Sequence, residues 1–376
     1  MLCLLFLPYL LNVTFLYGSV VGMPFALLSF ETLLLFERKP KIRYLLICGL
    51  SIGIAVILKP NYQIFLAAEI IYLICSSFIS RADCKKICGK GLLIISIVLG
   101  FLLCKVGVDQ YLLYLNDGKE VTGIPMTAVL AMGLQDGKSA PGWYNGYHVS
   151  LYEDNDYDYA VTDKMAKEEL KRIVSGYPQD ITASISFFVK KTASQWNNPT
   201  FQSLWIIDER EGKEGLAWIL RGKGRYLYIF WVNILQTWIL SGVLLYAVMR
   251  YKVSSYREML LPLTFTGGVL AHTFMEAQSL TALIYYPLLL PLCICGYREW
   301  QKWMLDRKKE IAEKGWSSKE GQKLKRKTGA VAVVVVVLCV LSYTELFAKI
   351  FARNENTGIF NTYTQELVTE EELLSD

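Results

Sequence analysis

Nine apolar runs dominate the chain, at 2–17, 20–36, 42–58, 62–79, 92–108, 226–249, 259–274, 280–297 and 330–347. Each holds 16 to 24 residues. About 20 helical residues, rising ~1.5 Å each, cross the ~30 Å of a bilayer's hydrocarbon. The pattern therefore predicts about nine transmembrane helices and an all-α, polytopic integral membrane protein.

Between 109 and 225 the pattern changes. The stretch 123–148 is rich in Gly, Pro and aromatics without a clear period, and predicts an irregular surface segment. A helix is predicted over 163–175, where Asp163 can cap it, Met165, Leu170, Ile173 and Val174 share a face, and Gly176 with Pro178 ends it. A second helix is predicted over 180–196. Its stripe of Ile181, Ile185, Phe188, Val189, Thr192 and Trp196 has Lys190 and Lys191 beside it, and suits either the headgroup layer or packing on the first helix.

Charge then orients the spans. The connectors 37–43, 80–90, 249–258 and 298–327 carry net +3, +3, +2 and +6. The stretch 109–225 holds 13 bases against 16 acids, and 349–376 holds two against six. Because Lys and Arg are retained on the cytoplasmic side, the four basic connectors are predicted to face the cytoplasm. The N terminus then lies on the cytoplasmic side of the cell membrane, and the long loop and C terminus on the extracytoplasmic side. Four regions follow: a block of five helices over 1–109, an extracytoplasmic loop with amphipathic helices over 110–224, four helices over 225–348 with a basic cytoplasmic loop at 298–327, and an acidic extracytoplasmic tail over 349–376.

Composition narrows the class. A chain 53% hydrophobic is that of a membrane protein. Its net charge of +5 is the sum of opposed regions and gives no sign of nucleic acid, whereas membrane lipids are the expected contact of 298–327. Seven of the nine cysteines fall in apolar runs, and Cys84 and Cys88 in a basic connector, so no disulfide framework is expected. Met1 opens directly onto apolar residues with neither a basic n-region nor a small-residue cleavage site. The expectation is a fragment or a late start rather than a signal peptide.

Three constellations could carry chemistry. Lys59-Pro60-Asn61 stands at the exterior end of the third span, where a compact cation can clamp a lipid-linked phosphate or simply snorkel to the headgroups. The run from Ala140 to His148 interleaves Trp143, Tyr144, Asn145 and Tyr147 around a Gly146 turn. Aromatic faces beside amides suit a sugar, and equally suit an interfacial belt. His272 and Glu276 lie four apart at the mouth of the seventh and eighth spans, with Gln278 beyond. On a helix they would share a face and position a substrate, or serve helix packing. Two histidines in the whole chain make a metal site weak. The acids Glu153, Asp154, Asp156, Asp158 and Asp163 lack the calcium-loop pattern and are expected to form a solvated turn.

These residues resemble a known family. The segments Gly123-Ile124-Pro125, Ala131-Met132-Gly133-Leu134-Gln135, Ala140 to Tyr147 and Lys190 to Phe201 look like the extracytoplasmic loop of Gram-positive membrane glycosyltransferases related to protein O-mannosyltransferases, the glycosyltransferase family 39-like enzymes. Leu58-Lys59-Pro60-Asn61, Gly267-Gly268, Glu276 to Ser279 and Tyr285-Tyr286-Pro287 fit the same group. The resemblance implies a GT-C fold and transfer of a sugar, with inversion, from a polyprenyl-phosphate carrier to an extracytoplasmic glycan, glycolipid or protein. It implies a carboxylate that activates the acceptor, and a divalent cation in some relatives only. On this reading Lys59 and Asn61 hold the donor phosphate. Trp143, Tyr144, Asn145 and Tyr147, with His272, Glu276 and Gln278, contact the sugar or position the substrate.

Two departures matter. The family's first exterior loop, with its acidic catalytic residue, would precede Met1, so this chain alone is expected to lack that carboxylate. Met275 and Gln278 stand where many relatives have an aromatic and a Lys. The rival readings are a lipid-linked glycan flippase or transporter, and a catalytically inactive membrane scaffold. Against a transporter, the span interiors hold only Glu31, Glu69, Lys105 and Glu345 besides the groups above.

Overall fold

The structure is a computed structural model and describes residues 6–13, 18–79, 84–119, 122–136, 140–203, 224–250 and 255–314, with isolated positions between 319 and 336. Twelve helices carry the argument below. In the N-terminal half they are α1 (Leu7–Asn12), α2 (Ser19–Arg38), α3 (Ile42–Leu58), α4 (Gln63–Ile79) and α5 (Cys84–Leu115). The intervening segment folds as α6 (Met126–Gly133), α7 (Tyr147–Asp154), α8 (Tyr159–Gly176) and α9 (Ile181–Trp196). The chain then re-enters the bundle as α10 (Gly224–Arg250), α11 (Leu260–Phe274) and α12 (Tyr286–Lys314). No strand occurs among the described residues; one isolated bridge pairs Asp136 with Pro141.

Five stretches are long and apolar enough to cross a membrane: Ser19–Arg38, Pro60–Phe78, Cys84–Leu115, Leu227–Arg250 and Ser279–Lys309. The third expected span is an apolar helix of 17 residues and the seventh one of 15. Of the first, only Leu7–Asn12 is described as helix. The ninth run, apart from two single positions, and the tail 349–376 lie outside the described residues. The chain is thus an all-α protein with the helices of a membrane protein. Leu50, Leu103 and Val106 are 47%, 66% and 55% exposed, which suits side chains facing lipid rather than water.

Helix α2 packs on α3, α3 on α5, α4 on α11 and α10 on α12. Packing in lipid gains nothing from hiding apolar surface, so close backbone approach has to supply the contact. At the α3–α5 crossing a Cβ on Gly100 would lie 2.1 Å from the Gly49 carbonyl oxygen. Larger residues there would force the helices apart. The core beside this crossing holds Phe30, Leu33, Ile52, Tyr62, Phe65, Leu93, Ile97 and Tyr285. One polar knot interrupts it: the Ser29 hydroxyl lies 2.5 Å from Glu69 Oε1 and 3.1 Å from the Cys48 carbonyl.

The bundle has two chemically different ends. At one, Glu37 lies 3.7 Å from Lys90, accepts from the Tyr72 hydroxyl at 2.7 Å, and Lys90 donates to Ser76 at 2.8 Å. Beside this ion pair, Arg250 bridges Glu299 at 3.2 Å and also Glu258. The basic connectors gather here. The described residues between 122 and 203 include α9, whose C-terminal end folds onto the 278–281 connector at the opposite end.

Several local expectations change. The segment 123–148 is not wholly irregular, because Met126–Gly133 forms α6 and buries Ala128, Ala131 and Met132. The helix expected from Asp163 begins at Tyr159. Asp158 caps it, accepting from the amides of Ala160 and Val161 at 2.8 and 3.0 Å, while Asp163 accepts from Thr127 on α6 at 2.7 Å. An Asp that finds a tertiary donor leaves the capping role to the next suitable residue upstream. The basic 298–327 stretch starts as helix, since α12 runs unbroken to Lys314.

Candidate functional site

Helix α3 stops at Leu58 because Pro60 disfavours helical geometry in the residue before it; Lys59 is extended, at φ −153° and ψ 117°. Pro60 opens a single tight turn, Pro60–Tyr62, which Tyr62 fastens by donating its hydroxyl to the Ser19 carbonyl. Lys59 is thereby held 9% exposed at the helix end, with half-buried Asn61 beside it.

Glu276 comes to Lys59 from another element. Helix α11 ends at Phe274, so His272 and Glu276 do not share a helical face as expected. Instead the chain turns back, and His272 Nδ1 meets the Glu276 carbonyl at 3.0 Å. A carbonyl only accepts, so Nδ1 carries the proton and Nε2 is left as an acceptor in the neutral ring. Nε2 and the neighbouring Tyr285 hydroxyl are buried without a hydrogen-bond partner among the described residues.

Lys191 completes the group and was not singled out by sequence reasoning. It lies on α9, 1% exposed, and donates to the Gly133 carbonyl at the end of α6. Gly142 makes room for it, and Gly133 lets the 274–275 backbone pass close by. Gly142, at φ +74°, would place a Cβ 2.6 Å from both Lys191 Cε and the Gly133 oxygen; a Cβ on Gly133 would meet the Met275 backbone at 2.6 Å. The Gly142 carbonyl accepts from the Ala277 amide at 2.9 Å, which ties this cradle to the Glu276 loop. A signal was present in the sequence: Lys191, Ser194 and Gln195, spaced i, i+3, i+4, are the buried face of α9, while Ile181 and Ile185 are exposed. Of the stripe expected either to lie in the headgroup layer or to pack on the first helix, Ile181 and Ile185 are thus left exposed.

Both lysines feel the Glu276 carboxylate. Burial pushes the Lys191 ammonium down to about 7 and that of Lys59 down to about 8, and Glu276 opposes both shifts. Burial raises the Glu276 carboxyl, against the pull of Lys59 and then Lys191. Two buried lysines and a half-buried carboxylate thus act on one another's charge at this end of the bundle.

Other expected site residues are distributed differently. Trp143 is 4% exposed, packs against Ala140 and Ala277, and donates its indole N–H to Ser194 at 2.9 Å. Buried in this way, Trp143 is a strut that holds the loop to the 277 connector rather than an open sugar platform. Tyr144 is 49% exposed, edge-on to His148. Asn145 donates to Gln135 at 3.0 Å and accepts from the Tyr147 amide at 3.0 Å, so the turn before α7 is set by this side chain. Tyr147 is half-buried near Glu169 and Arg172. Gln278 contributes its carbonyl, which accepts from the Thr281 hydroxyl at 2.6 Å.

An amide and hydroxyl network locks the segment behind the site. Gln195 donates to Thr281 at 2.9 Å, Asn198 to Ser279 at 3.1 Å, and Gln236 on α10 to the Tyr286 hydroxyl at 2.7 Å and the Trp196 carbonyl at 3.1 Å. Among the described residues no three His, Cys, Asp or Glu side chains gather as a metal site. Two ammonium groups beside Glu276 would also repel a cation, so the residues present do not fit a divalent metal there. No family model, no curated protein and no solved structure matches the chain.

Proposed function

We infer that this chain is a membrane glycosyltransferase of the GT-C type, or the C-terminal portion of one. It takes a sugar from a polyprenyl-phosphate carrier and passes it to an extracytoplasmic acceptor. The observation that carries the reading is a lysine, Lys59, held 9% exposed where an apolar helix ends, within electrostatic reach of Glu276 at the end of the bundle that α9 covers. A lipid carrier presents its phosphate at the depth where a span ends, and a span ends at Lys59. The proposal includes nine spans, the basic end in the cytoplasm and the lysine end outside.

In the transfer, the acceptor oxygen bonds to the anomeric carbon as the bond from that carbon to the carrier phosphate breaks. The phosphate leaves with the electron pair, and the acceptor proton goes to a carboxylate base. Lys59 offsets the charge gathering on the leaving phosphate, an interaction that strengthens where water is excluded. The resemblance assigns the base to the family's first exterior loop, and Glu276 keeps a positioning role. Tyr144, Asn145 and Tyr147 form the half-open aromatic surface that the sugar would meet.

The test is sugar transfer in membranes from defined polyprenyl-phosphate donors, by the protein expressed from its genomic reading frame. Lys59→Met is expected to lower turnover roughly a hundredfold, as loss of one preorganised charge contact does. Full activity in Lys59→Met would remove the assignment.

A further inference from the structure

Glu69 takes no part in the site at the Lys59 end. It stands nine residues from either end of the apolar stretch Pro60–Phe78, with roughly 13 Å of helix on each side, and is 0% exposed. An ionisable group at that depth is costly, and what it holds has to account for it. Its surroundings come from three helices. The Ser29 hydroxyl of α2 lies 2.5 Å from Glu69 Oε1 on α4 and 3.1 Å from the Cys48 carbonyl of α3. Oε2 is buried without a hydrogen-bond partner, and among the described residues no Lys, Arg or His pairs with either oxygen. The titratable neighbour is Cys48, whose Sγ lies 3.4 Å from the same hydroxyl. The Glu37–Lys90 pair engages α4 at Tyr72 and Ser76, three and seven residues further along. The core around the joint is built from Leu33, Ile52, Phe65, Leu93 and Ile97.

A buried carboxylate with one hydroxyl donor and no cation is not stable in a medium that cannot solvate it; such a group takes up a proton instead. Ser29 has a single hydroxyl hydrogen, yet two acceptor oxygens lie within its reach. A proton on Oε1 answers both demands. Oε1–H then donates to Ser29 Oγ, and the Ser29 hydroxyl donates to the Cys48 carbonyl. Oε2 becomes a neutral carbonyl oxygen, less costly to bury unpaired than a share of a negative charge. At 2.5 Å the Ser29 and Glu69 oxygens touch, so nothing larger than a hydrogen fits between them.

We propose that Glu69 is a proton-binding site in the middle of the bundle, and that the bound proton joins α2, α3 and α4 through the Ser29 hydroxyl and the Cys48 carbonyl. Without the proton the joint holds a carboxylate with one donor. Glu69 therefore releases it only when these helices part or water enters. The site is independent of Lys59 and of sugar transfer.

The experiment is infrared spectroscopy of the detergent-purified full chain at pH 7, in H2O and in D2O, with potassium as the only metal cation. The expected result is the C=O stretch of a protonated carboxyl, moved to lower frequency in D2O and lost entirely in Glu69→Gln, whose neutral amide can still donate to Ser29. Ser29→Ala should move the band to higher frequency, because the acid O–H loses its acceptor. A carboxyl that only filled space would not shift. A thermal melt of each variant shows that the chain is folded; if Glu69→Gln does not fold, the shift in Ser29→Ala assigns the band in its place. Absence of the band from the folded wild type overturns the proposal. So does a band that persists in folded Glu69→Gln, or one that stays unmoved in folded Ser29→Ala. A band that disappears when sodium replaces potassium overturns the proton as occupant and makes the joint a metal-cation site.

Discussion

Lys59 and Lys191 illustrate how burial changes what a lysine can do. An exposed ammonium stays charged throughout the physiological range, whereas these two titrate near 7 and 8. Transfer that depends on the Lys59 ammonium should decline as the assay pH is raised through about 8, where that group loses its proton. A pH–rate profile that rises through 8 would contradict the direction of charge required. Trp143→Phe keeps the ring and removes the N–H given to Ser194. It should cost about 1 kcal/mol in a thermal or denaturant melt, the net worth of a buried hydrogen bond.

Among the elements, α8 and α9 are held by carboxylate caps and α3 and α5 by backbone contact. Asp158→Ala leaves the amides of Ala160 and Val161 unpaired and should destabilise the loop segment by about 1 kcal/mol. Asp163→Ala acts differently, because that side chain ties α8 to Thr127 rather than capping anything. Limited proteolysis of the 122–203 segment should quicken in both. At the α3–α5 crossing, Gly100→Leu places a branched side chain where the Gly49 carbonyl lies. The two helices must separate, and the expected result is loss of folded protein after detergent extraction. Gly107→Leu serves as the control, since a Cβ there meets nothing within 4 Å.

Across the whole molecule the charge pattern of the connectors coincides with a division of the bundle into two ends. One carries the Glu37–Lys90 and Arg250–Glu299 pairs, the other the two lysines with Glu276. Labelling with a membrane-impermeant thiol reagent reads the proposed sidedness directly. In intact cells, in a background lacking the native exposed cysteines, Asn145→Cys should react and Lys302→Cys should react only after lysis; the reverse order would place the site in the cytoplasm.

Local information in the sequence marked several helices and some of their ends. Apolar runs near 20 residues marked the five helices long enough to cross a membrane, Asp180 marked the start of α9, and Pro60 marked the stop of α3, because period, capping and proline geometry act within a few residues. Lys59 and Glu276 were visible as polar groups at the ends of apolar runs. Only the tertiary structure decided that Lys191 joins them, that Trp143 is a buried strut, and that His272 meets the Glu276 backbone instead of its carboxylate. Those outcomes depend on which faces of α6, α9 and α11 meet, and on Gly133 and Gly142 letting backbones pass at close range. Contacts between residues 58 and more positions apart leave no periodic trace in the chain, whereas a span, a cap or a turn does.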